Sequence, residues 1–414
     1  MASMKQVHLC HLGYHSFFGG VQQGLTSLLP DLAQRFRMTV VDRCLNPRFV
    51  AALRANGLNA SALLEPQAAW SRGASCAGLV QQALGVIHER RAIPRLARPL
   101  SEQGCDVLMV SQTKALMAGV GVSRRCGVPC VYHCHGVGKR RTFVPAPRLV
   151  ALTHLAKRCR LVIANSQSTK SELTQMGVPG DRIRVVYNGI DTDGVLRAAT
   201  ADRPRDLPNS RGTVLLLPSA SLARDKGFDL AIAALAALRT GGLEADLWLT
   251  GGAGGDESRI VAVERCAAGL GVRDAVHLLG QRTDIWSVMK AATVVLIPSR
   301  VESFGRAAAE AILLGKPVVA SAVGGLREVI ADGETGWLVP TFDPRVWADT
   351  VRSVLQDDRA RQRVALHAPG IIISRFGRRR WASDVADVIL EAVGGAARSR
   401  RNSPLEEWSS PWPL

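Results

Sequence analysis

Short apolar runs recur along the whole chain, each bounded by polar or glycine-containing turns and separated by stretches of helical spacing. In the first half they read VHLCHL, MTVVD, VLMVS, VPCVYHC, RLVIANS and RIRVVYN. In the second half they read TVLLLPS, ADLWLTGG, VHLLG, TVVLIPS, PVVASA and GWLVP. Runs that are apolar throughout, rather than alternating, fit parallel strands covered by helices on both faces. Helical stretches such as Val21 to Phe36 and FDLAIAALAAL supply those covers. Two successive sets of this kind predict an α/β protein of two doubly wound, Rossmann-like domains. Ligands are then expected at the carboxyl ends of the strands and in the cleft between the domains. The proline- and charge-rich stretch Thr200 to Gly212, TADRPRDLPNSRG, reads as the linker.

The densest chemistry lies in PSRVESFGRAAAEAILLGKPVVASAVGGLREVIADGETGWLVP, from Pro298 to Pro340. A buried strand ends at Pro298 and a helix begins near Arg306, with Gly305 at the turn. Backbone N–H groups near Phe304 and Gly305 therefore face an incoming ligand, and a helix start of this kind favours phosphate. Glu302 precedes the helix, and Glu310 lies about 7 Å along it at ~1.5 Å per residue. The two carboxylates can reach opposite sides of a bound diphosphate, as the hydroxyls of a nucleotide-sugar would require. Two solvated helix-face acids, or a glycosidase acid and nucleophile, are the competing readings. Neither accounts for the phosphate-type turn.

This segment resembles the signature of glycosyltransferase family 4: two glutamates separated by seven residues in a Ser-x-x-Glu-Ser-Phe-Gly frame, followed by GKPVVAS, VGGLREVI and DGETGWLVP. The family's order is also met by FGGVQ (Phe18 to Gln22), YHCHG (Tyr132 to Gly136), ANSQSTKSEL (Ala164 to Leu173) and VYNGID (Val186 to Asp191). The resemblance implies the GT-B fold and a retaining glycosyltransferase. It also implies an acceptor-binding domain over residues 1–195 and a donor-binding domain over 196–371. A last helix, about Ile372 to Val393, would cross back onto the first domain. The Gly-, Ser- and Pro-rich stretch 394–414 is expected to be disordered.

Site roles follow from the same resemblance. Glu302 and His135 would hold the transferred sugar, and Ser303, Phe304 and Gly305 would orient sugar and phosphate. Glu310 would take the ribose. Lys226, in SLARDKGFDL, would stabilise the departing diphosphate, with Gly20 completing the cradle from the other domain. Where the family carries an arginine this chain has Ser221, and Arg224 is expected to compensate. Gly251 and Arg282 are further donor-side candidates, and Asn188 and Asp191 mark the hinge and cleft wall. Asp191-Thr192-Asp193 mimics a metal clamp of another glycosyltransferase fold, but its place in the hinge argues for coincidence. No cofactor and no essential metal are expected.

Composition narrows the partners. With 47% apolar and 21% charged residues over 414, the chain is long enough for two cored domains. No apolar run reaches the ~18 residues of a membrane span, and the start lacks signal-peptide features, so a cytoplasmic protein is expected. Nine cysteines make no paired framework, and Cys130 and Cys134 fall on the strand face opposite His133 and His135, against a zinc site. The net charge is +17, and residues 1–190 hold 24 Lys+Arg against 8 Asp+Glu while the rest holds 28 against 27. A basic first half suits an acidic membrane surface or a phospholipid-linked glycan acceptor. Nucleic acid is disfavoured because aromatics are only 5% and do not interleave with the basic residues.

The expected function is sugar transfer from a nucleotide-sugar, UDP favoured, to a glycan or lipid-linked acceptor of the bacterial envelope. The enzyme would sit peripherally on the inner membrane face. The alternatives are transfer to a small metabolite and, in another class, a non-catalytic sugar-nucleotide or polyanion-binding protein. Acceptor recognition is expected around Gly13 to Gly20, Arg72 to His88 and Gly136 to Arg148.

Overall fold

The computed structural model describes residues 6–15, 19–61, 90–137, 146–200, 202–210, 212–253 and 256–394. The expected disordered stretch lies outside these from residue 395 on, as do all of Arg72 to His88 and residues 138–145 of Gly136 to Arg148. Strands β1 (His8–Gly13), β2 (Arg37–Asp42), β3 (Ala60–Ser61), β4 (Val107–Ser111), β5 (Cys130–Cys134), β6 (Leu161–Ala164) and β7 (Ile183–Val185) form one sheet in the order β3-β2-β1-β4-β5-β6-β7. Strands β8 (Thr213–Leu217), β9 (Ala245–Thr250), β10 (Val276–Gly280), β11 (Val294–Ile297), β12 (Val318–Ser321) and β13 (Trp337–Val339) form the second, in the order β10-β9-β8-β11-β12-β13. Every pairing is parallel. The chain thus folds as two Rossmann-like units, each with the strand-order reversal that opens a crevice beside its first strand.

Core packing explains the apolar runs. Residues Cys10, Leu12, Leu108, Val110, Cys130, Tyr132 and Cys134 pack on one face of the first sheet. Leu9, Val107, Met109, Val131 and Ile163 pack on the other with Leu25, Leu28 and Trp381. The two cysteines of β5 are therefore core thiols, with Cys130 Sγ lying 3.8 Å from Cys159 Sγ. β1 departs from its apolar appearance, because His8 and His11 are both buried within it. His8 is satisfied by Thr39 Oγ1 at 2.9 Å and the Gln103 carbonyl at 3.1 Å.

The crossing segment returns to the first sheet as expected, but in two pieces. It consists of two helices, Asp358–Phe376 and Arg378–Val393, broken at Gly377. The first packs on helix Arg306–Leu313, and the second packs on the first sheet and on helix Gly20–Ala33. The break falls where the chain meets the other crossing: Ile190 bridges Gly377, and its N–H donates to the Phe376 carbonyl at 2.7 Å. Trp381 then wedges against Gly189 and Gly24, where added Cβ atoms would come within 2.6 Å and 3.2 Å of its ring. Glycine at position 189 of VYNGID is thereby explained by packing. Among the described residues, no helix is long and apolar enough to cross a membrane.

Candidate functional site

Three loops at the carboxyl ends of β8, β11 and β12 build the second-half side of the candidate site, and glycines let them touch. Gly227, at φ +76°, lies so close to Pro298 that an added Cβ would stand 2.0 Å from its carbonyl oxygen. Asp225 accepts the Arg300 N–H through its carbonyl at 2.8 Å, and Arg300 also grips the Asp229 carboxylate. This stapling brings the short 3-10 turn Arg224–Lys226 beside Glu302, and Lys226 Nζ donates to Glu302 Oε2 at 2.8 Å. From beneath, Gly324 and Gly325 support the same loop. The Gly325 N–H donates to the Glu302 carbonyl at 3.0 Å, and a Cβ on Gly324 would sit 2.0 Å from that oxygen. Side chains cannot occupy such an approach, which accounts for the paired glycines of VGGLREVI.

Helix Arg306–Leu313 follows, capped by Gly305 at φ +101°, which is pressed against Leu326. Phe304 anchors the turn by packing on Tyr187 and Phe376 at ring separations of 6.4 and 5.4 Å. The Phe304 and Gly305 amides donate to no acceptor among the described residues, and they stand at the start of this helix. Glu310 is only 4% exposed, which removes the solvated-face alternative. Its Oε1 accepts from Arg306 Nε at 2.7 Å.

The two halves meet beside this loop. Ser303 Oγ donates to the His135 carbonyl at 2.8 Å, and Gly136 at φ +132° leaves room for the Ser303 side chain. Glu328 caps a helix of the first half, accepting from the Gln167 and Ser168 N–H groups at 2.8 and 2.9 Å. Gly20 begins helix Gly20–Ala33, and the Arg306 side chain lies against it. The fold therefore gathers Lys226, Glu302, Ser303, Phe304, Gly305 and His135, with Glu310 and Gly20 joined through Arg306.

Other candidates are placed differently. Arg224 is 85% exposed along its side chain, with Asp229 its nearest carboxylate at 3.8 Å, so its compensation for Ser221 has no contact behind it. The Arg282 guanidinium is taken up by Asp284 at 2.6 and 2.8 Å and by Asp206 of the linker. Gly251, at φ +120°, is required by the approach of Ser219 and Ser221, each within 2.9 Å of an added Cβ. Asn188 lies against His135. Asp191 caps helix Thr192–Ala199, its Oδ1 accepting from Gly194 N at 3.2 Å, and with Asp193 lines a hinge cavity of about 440 Å³. The Asp-Thr-Asp sequence is thus a helix cap.

Sequence reading missed a buried histidine layer under the first-half cleft. His11, His133 and His135 have imidazoles pushed toward the neutral form by burial, His11 and His135 to about 3. His15 and Asp42 are fully buried partners at 3.2 Å, and Asp42 is held below the ordinary carboxylate range against its own burial by the His15 hydrogen bond. A histidine whose folded pKa is depressed adds no pH-dependent loss above the unfolded value of about 6.5. Below that value the unfolded chain binds protons that the folded one refuses. Each of the three should therefore remove stability progressively as pH falls below ~6.5, with His11 and His135 doing so down to about 3. Asp42 loses its contribution only at lower pH. Urea midpoints are expected to hold from pH 8 to 7 and drop steeply between 6 and 4.5; a flat profile would contradict this burial.

With this geometry in place, comparison with known proteins is informative. The family described as Glycosyltransferase Family 4 matches residues 18–194, and that described as Glycosyl transferases group 1 matches residues 201–369. The chain is 33% identical over 316 residues to the D-inositol 3-phosphate glycosyltransferase of Xylanimonas cellulosilytica, covering 71% of this chain and 73% of that protein. It is 30% identical over 323 residues to the protein of the same name from Thermomonospora curvata, covering 70% and 72%. Among solved structures, Anabaena Alr3699/HepE in complex with UDP and glucose is similar at 25% identity and a TM-score of 0.78, covering 92% of this chain and 98% of that one.

Proposed function

Since the chain belongs to glycosyltransferase family 4, the glycosyl transferases group 1, we propose that it moves a sugar from a UDP-sugar to a small, phosphorylated, hydroxyl-rich acceptor with retention of anomeric configuration. It is an enzyme of the GT-B fold. The observation that carries the reading is the convergence of Lys226, Glu302 and the Phe304–Gly305 amides beside the His135–Ser303 contact. Glu302 accepts hydrogen bonds from sugar hydroxyls, and neutral His135 addresses the same sugar from the other half. The amides at 304 and 305 and that of Gly20 hold the diphosphate, whose growing charge Lys226 neutralises. Glu310 takes the ribose, and Asn188 and Asp191 belong to the hinge. Arg282 is left out because two carboxylates already saturate it.

UDP is favoured by the similar Anabaena protein, solved with UDP and glucose. The acceptor moves away from the lipid-linked glycan expected from sequence, because the curated relatives are named for D-inositol 3-phosphate. The basic first half supports this choice equally well, since its field draws a free phosphorylated acceptor as readily as an anionic membrane. Thermal shifts test the base, and UDP release tests the acceptor. UDP should raise the melting temperature more than GDP, ADP or TDP at equal concentration. Adding D-inositol 3-phosphate should then raise UDP release from a UDP-sugar. A larger shift with another diphosphate sinks the base, and release indifferent to the phosphorylated polyol sinks the acceptor class.

A further inference from the structure

A departing nucleoside diphosphate gathers more negative charge than one lysine offsets well. This chain has Ser221 where a second cation was expected, and Arg224 is turned outward. Arg306 stands immediately after Gly305, at the first position of the donor-side helix. Its side chain is 14% exposed, and its Nε donates to Glu310. It also leaves its own half of the molecule. An added Cβ on Gly20 would lie 3.7 Å from Arg306 Cδ, and one on Gly24 would lie 3.1 Å from Nη1. Both glycines belong to helix Gly20–Ala33 of the first half. The two Nη groups donate to no acceptor among the described residues.

A desolvated ion pair is a poor device for stability alone, because the loss of hydration offsets most of the attraction. The position has a better use. We propose that Arg306 is the second cation of the diphosphate site, bridging the donor's two ends: Nε stays on Glu310 Oε1 while the Nη groups take phosphate oxygens, leaving Glu310 Oε2 for the ribose. The planar guanidinium suits this task, since it can serve a carboxylate and a phosphate at once. The inference rests on the donor reading above and supplies the charge that Ser221 withholds.

Calorimetric titration of the full chain with UDP and with uridine, uridine by displacement, tests it. In Arg306→Leu, UDP affinity should fall roughly ten- to hundredfold, while uridine affinity stays within about threefold. Arg306→Lys should recover part of the UDP loss, and Glu310→Ala should weaken both ligands together. Retained uridine binding certifies that the Arg306 variants are folded, and circular dichroism does so for Glu310→Ala. Equal loss of UDP and uridine in Arg306→Leu would reduce Arg306 to a positioning residue for Glu310 and overturn the proposal. Unchanged UDP affinity would overturn it too. A wild type that binds none of UDP, GDP, ADP and TDP would instead remove the donor site itself. If the wild type prefers another base, its diphosphate and nucleoside replace the pair.

Discussion

Lys226→Ala is expected to lower turnover by about 10²–10³, the range for removal of one preorganised group that meets developing charge. Its geometry makes the effect large. Gly227 seats the turn against Pro298, and Lys226 Nζ is fixed 2.8 Å from Glu302. The ammonium is thus already oriented before the donor arrives, and its attraction grows only as the diphosphate departs. The loss should therefore appear in kcat more than in KM. Lys226→Arg should keep a fraction of the rate, since the charge survives while the fit does not. Steady-state kinetics with UDP-sugar and acceptor decide the matter, and an alanine variant within fivefold of wild-type kcat would take Lys226 out of the chemistry.

Gly324→Ala is expected to cost roughly 2–5 kcal/mol of stability and to weaken donor binding at least tenfold, the stability figure combining left-handed backbone strain with overpacking. Gly324 has φ +50°, and an added Cβ would stand 2.0 Å from the Glu302 carbonyl oxygen. Relief requires the Glu302–Gly305 loop to lift, carrying with it the carboxylate and the amides proposed to hold sugar and phosphate. Gly333→Ala is the control. It also has positive φ, at +74°, but nothing lies within 4 Å of its Cβ position. That variant should lose about 1–2 kcal/mol and bind donor normally. Denaturation and nucleotide titration of the two variants side by side make the comparison. Equal effects would mean that strain alone, and not support of the loop, explains the glycine.

Much of the fold was readable because parallel strands buried on both faces leave continuous apolar runs. TVVLIP became β11, GWLVP became β13, and the helix after Gly305 fell where the turn chemistry put it. The Glu302 loop was readable for a different reason: its glycine, carboxylate and helix start are neighbours in sequence. What escaped were contacts between distant residues. Lys226 meets Glu302 across 76 positions, and nothing local announces that they pair. Arg282 looked free until Asp206 of the linker closed on it. The helix break at Gly377 is set by Ile190 and by the Trp381 wedge, neither of which leaves a periodic signal. Arg306 sat in plain view inside the motif. Its significance depends on Gly20 and Gly24, which only the fold brings near.

The central claim is that this cleft transfers a sugar from a UDP-sugar with retention of configuration. Proton NMR of the wild-type enzyme, followed from the first turnover with a UDP-sugar and D-inositol 3-phosphate, tests it most directly. UDP and glycoside should appear together in equal amounts, with the first-formed glycoside carrying the donor's anomeric configuration. An inverted first product, or UDP released at the same rate without the acceptor, would contradict the account.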